Sequence, residues 1–357
     1  MRIPKDTLVR LIRDIFLAQD CSEDESLRIA TYLVRSNLAG HDSHGVLRTA
    51  RYVALVRDGL LLRDRTLEII MDSSAFAVVD GGFGFGQTIA PQAVSLGIQK
   101  ALASGTAVIA LRNSGHIGRV GEWAEMAVEA GLCSVHFVNV AGSQLVAPFG
   151  GVERRFSTAP FAAGFPMGEA PPIILDFATS LVAEGKVLSA ANGGKLIPED
   201  SLIATDGTLS GDPAVLYGPL DVTSPRSARN GTGAIRAFGE HKGSGLALIC
   251  ELLAGALTGS GCAGPGERKF ANGMLSIYIS PAYFGSMEAF QAEANTFVDY
   301  VRSTRPAEPN GEILLPGDME RRTAAERERN GIPLSQETWQ GLVDLARDAG
   351  LSIEAYA

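Results

Sequence analysis

The chain has 357 residues, of which 46% are hydrophobic and 20% charged, and its formal net charge at pH 7 is −9. This length predicts more than one domain, and the composition allows a large buried core and excludes intrinsic disorder. The acidic balance, with no basic stripe, argues against a nucleic-acid partner.

The cysteines and the N-terminus indicate a compartment. The four cysteines are scattered without a C-x-x-C pair, which predicts reduced and mostly buried thiols in a cytosolic protein. The first residues carry charge through their apolar part, unlike a signal peptide, and no run approaches the roughly 18 apolar residues that a membrane-spanning helix needs. We therefore expect a soluble cytoplasmic protein that binds no membrane.

Helical patterns fill the N-terminal part. Apolar residues recur at helical intervals from Leu8 to Phe16. Ser22 and Glu25 form a capping-box pattern before a second helix, which Gly40 ends. After the Gly-His-Asp-Ser-His-Gly turn, a third helix is predicted over 46–58.

From about residue 69 the pattern changes to short apolar runs bounded by Gly, Pro, Asn and Ser, as is typical of strands. The predicted strands cover 76–79, 107–111, 134–140, 173–175 and 274–280, with helices over 92–103, 120–130, 183–191 and 245–257. Beyond Pro281 the pattern is helical again, and the charged run 318–330 predicts a solvated helix. The simplest division has an N-terminal helical part (1–70), a central sheet domain (71–280) and a C-terminal helical return (281–357).

The segment Gly-His-Asp-Ser-His-Gly-Val-Leu-Arg, residues 40–48, contains two of the five histidines. Histidine exchanges protons near neutral pH, and arginine binds carboxylates with two parallel hydrogen bonds. If a helix begins at Gly45, His44 and Arg48 lie one turn apart on one face, an arrangement that suits a small acid substrate. A histidine in a helix-ending loop is more often a cap or a surface residue, so spacing alone leaves the two interpretations open.

Three other classes of site lack their motifs. The literal G-x-G-x-x-G match, Gly259, Gly261 and Gly264, follows a helix instead of a strand, which argues against a Rossmann fold. No serine has the flanking glycines of a nucleophile elbow. His41 and Asp42 lie too close to His44 to converge tetrahedrally on zinc, so no metal is expected.

Four later loops carry further polar groups. His116 follows a predicted strand, where α/β proteins often bind ligands. Asp176 follows another strand and suits either a sugar hydroxyl or the cap of a helix. Lys242 lies in a glycine loop that opens an apolar helix, a plausible phosphate cradle. The turn at residues 315–318 precedes the charged helix.

These loops occur together in one family. SHGVLR, NSGHIG, VAPFGG, ILDFATS, HKGSGLAL and LPGD stand here in the order found in the malate/L-lactate dehydrogenase family that lacks a Rossmann fold. The chain resembles that family over about residues 1–350. The resemblance implies an α+β, non-Rossmann fold with a largely antiparallel central sheet and a helical lobe from both ends of the chain. It also implies a homodimer that uses NAD or NADP on 2-hydroxy acids, 2-oxo acids or cyclic imino acids.

The resemblance also assigns site residues. His44 or His116 is the acid/base, and Arg48 lies near the substrate carboxylate. Further substrate and cofactor contacts are implied at Ser43, Thr158, Asp176, Phe177, Ala178, Lys242, Gly243, Pro316, Gly317 and Asp318. Where the family usually has Gly-Thr-Asn-Pro, this chain has Ser157-Thr158-Ala159-Pro160, which puts the role of that motif in doubt.

The expected chemistry is hydride transfer between nicotinamide and C2 of the substrate, with a histidine moving the proton. We expect the N-terminus of the third helix to favour a neutral His44. One alternative is a ketimine reductase that protonates the nitrogen of a cyclic imino acid such as piperideine-2-carboxylate. A non-catalytic small-molecule binding protein is the alternative from another class, and a hydrolase lacks support.

Overall fold

Amphipathic helices open the chain. The computed structural model describes residues 1–191, 196–219, 230–265 and 269–356. The first elements are β1 (Arg2–Ile3), α1 (Lys5–Leu17), α2 (Glu23–Leu38) and α3 (Thr49–Arg57). The apolar residues spaced helically along α1 are buried, which confirms that prediction.

The central part alternates strands and helices. Its elements are β2 (Glu68–Asp72), β3 (Phe76–Asp80), α4 (Gly86–Ser104), β4 (Thr106–Ser114), α5 (Gly121–Glu129), β5 (Cys133–Ala141), β6 (Phe161–Phe165), β7 (Ile173–Phe177), α6 (Glu184–Ala191), β8 (Leu202–Ile203), β9 (Leu209–Ser210), α7 (Ala214–Tyr217), β10 (Ala234–Ile235), α8 (His241–Cys250) and β11 (Ala271–Ile279). Helix α8 continues directly into a π-helical stretch, Glu251–Leu257.

Seven of the described strands form one mixed sheet in the order β2-β3-β4-β11-β5-β6-β7. Its pairs are antiparallel except for β3 and β4, which confirms the largely antiparallel sheet. Strand β11 comes late in the chain and lies between β4 and β5, so it holds together segments from three regions of the sequence. A separate small sheet has the order β10-β8-β9.

The C-terminal elements are α9 (Met287–Arg302), α10 (Asp318–Asn330), β12 (Ile332–Pro333) and α11 (Gln336–Asp348). Strand β12 pairs with β1, and α11 packs on α1 and α3, so one apolar core contains residues from both ends of the chain. This is the predicted helical lobe. None of the helices in the described ranges is long and apolar enough to cross a bilayer.

Three local predictions need correction. The third helix begins at Thr49 instead of Val46, because Gly45 is extended (φ −87°, ψ −154°) and separates two short 3₁₀ turns. The capping box forms only in part: Ser22 Oγ accepts from the Glu25 N–H, but the Glu25 carboxylate bonds Thr88 and the Asp64 N–H. The helix predicted from Gly245 already begins at His241.

Candidate active site

Two histidines far apart in the sequence meet in the structure. His44 Nδ1 lies 3.3 Å from His116 Nε2, and the two rings are stacked with their centroids 5.2 Å apart and their planes inclined by 3°. His44 ends a 3₁₀ turn, and His116 lies in the loop after β4. The sequence analysis proposed these residues as alternative acid/bases, and the structure brings them into direct contact.

A tyrosine and a glutamine extend this contact into the core. The Tyr52 hydroxyl lies 2.6 Å from His116 Nδ1, and Gln87 Nε2 donates to the same hydroxyl at 3.1 Å. Tyr52 and Gln87 are both buried. The tyrosine oxygen accepts from Gln87 and can either donate its own proton to His116 Nδ1 or accept one from it, so the His116–His44 pair has two proton arrangements.

The protein environment keeps this pair uncharged. Burial lowers the pKa of His116 to about 3, and the nearby charge of Arg48 adds to the effect. The pKa of His44 is also well below its usual value, first because of burial and then because of repulsion by His116 and Arg48. Burial raises the pKa of Tyr52 to about 12. The expected neutral His44 is therefore found, but its main cause is burial instead of a helix dipole, since α3 begins five residues later.

The turn that carries His44 is bonded to two helices. The side chain of Asn37, near the end of α2, donates to Asp42 at 2.6 Å and accepts from the Val46 N–H at 2.8 Å. Arg327 of α10 bonds both carboxylate oxygens of Asp42, at 2.6 and 3.0 Å. His41 Nε2 lies 3.3 Å from Glu320, also on α10. His41 and Asp42 therefore hold the turn in place.

Arg48 is held at one end and open at the other. Its Nε donates to the Ser43 carbonyl oxygen at 2.6 Å. Its two terminal nitrogens make no hydrogen bond to any described residue, so the guanidinium can still bind a carboxylate through them. Ser43 packs against Gly185 at the start of α6, where a Cβ would come within 2.6 Å of the Ser43 Cβ. His44 and Arg48 lie in different 3₁₀ turns, so the predicted shared helix face is wrong although the residues remain close.

A cleft of about 300 Å³ lies between the end of α2, the start of α5, β7 and α10. Asp176 and Gly317, two of the predicted cofactor contacts, line it together with Arg119. Asp176 Oδ2 accepts from the N–H of Gly121, the first residue of α5, at 2.8 Å, and burial raises its pKa. Arg119 is only 3% exposed, and its Nε and Nη1 have no hydrogen-bond partner among the described residues. Its Nη2 donates to Glu122 and Glu125 at 2.9 and 2.6 Å, so two carboxylates already balance the charge of this guanidinium.

The other predicted cofactor segments lie on both sides of β7. Pro316 accepts from the Ile174 N–H at 3.2 Å, and Asp318 bonds the Leu315 N–H and Arg321 within its own turn. On the other side, the ring of Phe177, which Ala178 follows, packs edge-on against Phe238 at 5.2 Å.

Lys242 and Gly243 belong to the first turn of α8. The Lys242, Gly243 and Ser244 N–H groups donate to carbonyls of the preceding loop. The amides of the proposed phosphate cradle are therefore already bonded, and only the Lys242 side chain remains for such a contact.

The departure from Gly-Thr-Asn-Pro is accommodated inside the protein. Ser157 Oγ donates to Glu251 at 2.8 Å and accepts from the Ala159 N–H at 3.2 Å. Ala159 is buried with a φ of +35°, a backbone conformation that glycine or asparagine adopts more easily. The Thr158 carbonyl accepts from both the N–H and the hydroxyl of Thr179 at 3.0 Å. Ser157 therefore supports the strained turn, while a substrate contact by Thr158 stays a prediction.

Sequence reasoning missed Tyr52 and Gln87. A signal for Tyr52 existed, because His44, Arg48 and Tyr52 are spaced by four residues, as on one side of a helix. Gln87 gave no comparable signal in the apolar segment that follows the glycine cluster Gly81-Gly82-Phe83-Gly84-Phe85-Gly86. That cluster itself is explained by close packing: a Cβ on Gly86 would lie 2.2 Å from the His116 carbonyl oxygen.

Stacked neutral imidazoles, an open guanidinium and a polar cleft are the parts that a redox enzyme for small acids requires. The malate/L-lactate dehydrogenase family model matches residues 3–343. Hydroxycarboxylate dehydrogenase B of Escherichia coli (strain K12) is 38% identical over 99% of this chain and 96% of its own length. The chain belongs to the malate/L-lactate dehydrogenase family and is an oxidoreductase.

Solved structures agree with this assignment. A candidate malate/lactate dehydrogenase from E. coli superposes with a TM-score of 0.90 at 37% identity and covers 100% of this chain and 97% of its own. The Δ1-piperideine-2-carboxylate reductase of Pseudomonas syringae pvar. tomato has a TM-score of 0.81 at 29% identity, with 97% and 100% covered. Proteins described as a malate/lactate dehydrogenase and as a piperideine-2-carboxylate reductase thus share this fold.

Proposed function

We propose that this protein transfers a hydride between a nicotinamide dinucleotide, NAD or NADP, and C2 of a small 2-hydroxy or 2-oxo acid. The observation that carries the proposal is the hydrogen-bonded chain from Gln87 through Tyr52 to the His116–His44 pair, with the open fork of Arg48 close to it. Such a hydrogen-bonded chain can move one proton, and the two terminal nitrogens of Arg48 can bind one carboxylate.

The histidine pair exchanges the proton of the substrate oxygen. A neutral pair has two hydrogen-bonding arrangements, which differ in whether His44 Nε2 carries a proton or a lone pair. With the lone pair outward, His44 accepts the hydroxyl proton during oxidation, and the positive charge is shared with His116. In reduction the protonated pair returns this proton to the substrate oxygen. Because both pKa values are lowered, the pair is unprotonated near neutral pH, which is the form that can accept the substrate proton in oxidation.

Arg48 sets the orientation of the substrate. Two parallel hydrogen bonds from its terminal nitrogens to the carboxylate place C2 next to the histidine pair, and the Nε bond to Ser43 fixes the direction of the fork. Preorganisation of this kind is a large part of the rate that enzymes gain on bound reactants.

We assign the cleft lined by Arg119, Asp176 and Gly317 to part of the dinucleotide, because it contains two of the residues that the resemblance implies as cofactor contacts. When bound, the nicotinamide accepts or supplies the hydride. Asp176 would offer its other carboxylate oxygen to a ribose hydroxyl, and the side chain of Lys242 at the start of α8 would offer a charge to a phosphate, while Arg119 is paired with Glu122 and Glu125. Two of the lining residues, Ala39 and Arg119, are five and three positions from His44 and His116 in the sequence, although neither histidine lines the cleft.

A cyclic imino acid is the second candidate substrate, because the imine reductase neighbour shares the fold and the same pair would protonate nitrogen. The homodimer and the cytoplasmic location stay predictions.

The test is the appearance or loss of NAD(P)H absorbance with both cofactors against lactate, malate, ureidoglycolate, sulfolactate, piperideine-2-carboxylate and their redox partners. We expect turnover of at least one hydroxy acid and its loss in His44→Asn, while cofactor titration by fluorescence is unchanged. His136→Asn, which removes a buried imidazole at the centre of the sheet, is the control and should retain turnover. If no compound in the panel changes the NAD(P)H absorbance although the cofactor binds, a non-catalytic small-molecule binding protein would be favoured instead.

A further inference from the structure

The peptide unit between His116 and Ile117 is enclosed on both sides. On its carbonyl side, Gly86 approaches so closely that a Cβ there would lie 2.2 Å from the His116 oxygen and 2.5 Å from the Ile117 Cα. On its other side, the Ile117 N–H donates to Asn272 Oδ1 at 3.0 Å. The plane of this peptide therefore cannot rotate without breaking a buried hydrogen bond or colliding with α4.

Asn272 is itself fixed in the centre of the sheet. Its side chain is 2% exposed, and its Nδ2 donates to the backbone oxygen of Asn139 at 2.7 Å. On β11, Asn272 pairs with Ser114 of β4 and Val140 of β5. The register with β4 shifts between Asn272 and Met274, at the point where β4 leads into the His116 loop. Irregularities of this kind redirect side chains beside active sites.

An amide side chain is what this position requires. The Ile117 N–H needs an acceptor, and the Asn139 carbonyl needs a donor. Asparagine supplies both from one short side chain, whereas an aliphatic residue would leave both backbone groups buried without partners.

We propose that Asn272 is a positioning residue, which holds the His116 imidazole against Tyr52 and His44 by fixing the His116–Ile117 peptide. The inference rests on the proposed role of His116 in proton transfer. Without the Asn272 bond, the peptide can turn away from Gly86 and the imidazole leaves its hydrogen-bonding geometry, while Arg48 keeps its bond to Ser43 on a separate chain segment. Loss of the Asn272 bond should therefore lower kcat much more than it raises KM.

A second buried asparagine provides the matched control. The side chain of Asn139 bonds Glu251, the Gly261 carbonyl and the Gly273 N–H, at 3.0, 2.8 and 3.2 Å. Among the described residues it makes no hydrogen bond to the Asn272 side chain or to Ile117, although it bonds the next N–H along β11, that of Gly273; Asn272 uses the backbone oxygen of Asn139, which alanine retains. Asn139→Ala therefore removes an equally buried amide without disturbing the peptide that carries His116.

The first measurement is steady-state kinetics with L-malate and L-lactate. Asn272→Ala should lower kcat by about 10- to 100-fold with KM within about threefold, since small displacements of a reacting group cost this much. Asn139→Ala should keep kcat within about threefold, although both variants melt at lower temperature. Asn272→Asp keeps the acceptor for Ile117 but loses the donor to the Asn139 carbonyl, so its kcat should lie between that of Asn272→Ala and that of the original protein. Equal kcat values for Asn272→Ala and Asn139→Ala, or equal values for Asn272→Asp and Asn272→Ala, would overturn the proposal.

The second measurement needs no substrate. In ¹⁵N-histidine spectra, the two ring nitrogens of His116 should lose their distinct hydrogen-bonded shifts in Asn272→Ala and keep them in Asn139→Ala, with His116→Gln used for assignment. If the unmodified protein turns over none of the acids, the proposed function fails. The spectra still test whether Asn272 positions the His116 ring, because they need no turnover. Unchanged His116 signals in Asn272→Ala would contradict the positioning role.

Discussion

Arg48 shows how one residue divides its hydrogen bonds between protein and ligand. The bond from its Nε to the Ser43 carbonyl fixes the plane of the guanidinium, and the two terminal nitrogens stay open toward the site. A lysine at this position would supply a charge but neither the planar fork nor the fixed direction. The geometry therefore selects a substrate with a carboxylate next to the reacting carbon.

We predict that Arg48→Met raises KM for acid substrates by roughly 100-fold, with a smaller change in kcat, because a bidentate, charge-assisted contact is lost. Arg48→Lys should recover only part of this loss. Arg51→Met, an exposed substitution in the first turn of α3, is the control and should behave like the original protein. A KM for Arg48→Met within threefold of normal would remove the carboxylate clamp from the mechanism.

At the scale of elements, α10 acts as a support for the turn that carries His44. Arg327 binds Asp42 with two hydrogen bonds, and Glu320 contacts His41. Arg327 is mostly buried, while Asp42 is 46% exposed, so the pair contributes modest stability that solvent reduces. Its main effect is on the position of Ser43 and His44.

Arg327→Gln should therefore reduce kcat/KM by about tenfold, as a displaced acid/base does. The loss of stability should be about 1 kcal/mol, which lowers Tm by about 2 °C in a chain of this size. Arg329→Gln lies on the exposed side of the same helix and should change neither quantity. If both variants lose activity to the same extent, the support role of Arg327 is wrong.

Local sequence signals predicted the helices and strands better than they predicted the contacts between those elements. The apolar run before Asn113 correctly predicted a strand that delivers His116 to a loop, because strand patterning and turn residues act over a few positions. The meeting of His44 with His116 joins residues 72 positions apart, and no local spacing encodes it. The resemblance to the family supplied both residues as candidates but left open which one acts.

Other site features depend on burial that only the fold creates. Tyr52 and Gln87 look like ordinary members of apolar helices until α3 and α4 pack beside the His116 loop. Asn272 lies in a strand whose neighbours, β4 and β5, are fixed by long-range pairing. The start of α3 was misjudged because Gly45 adopts an extended conformation, which the Asn37 side chain against it enforces.

For the whole molecule, the buried imidazoles make stability depend on pH. His136 lies at the centre of the sheet, bonded to Ser276 and Ser134 at 2.8 and 3.0 Å, and burial lowers its pKa to about 3. In the unfolded chain a histidine titrates near 6.5. Below that pH the unfolded state binds a proton at His136 and the folded state does not. The free energy of unfolding is therefore highest above about pH 6.5 and decreases as the pH falls toward 3.

We predict that the free energy of unfolding, measured with urea, falls by roughly 1 kcal/mol per pH unit per buried histidine between pH 6 and pH 4. His136→Gln should be less stable at pH 7.5 but should show a shallower decline toward pH 4, because one such group is gone. His241→Gln, at the exposed start of α8, is the comparison and should leave the slope unchanged. Parallel curves for all three proteins would exclude His136 as a source of the acid sensitivity.

The bonds from α10 to the His41–Asp42 turn also bear on how the protein is made. The partners are 279 and 285 residues apart, so the ribosome completes nearly the whole chain between them. During that interval the turn is held by Asn37 alone among these contacts. A nascent chain that ends before α10 has both histidines, Arg48 and Tyr52, yet lacks the support that aligns them. Activity is therefore acquired late in synthesis, and truncated products should compete for neither substrate nor cofactor.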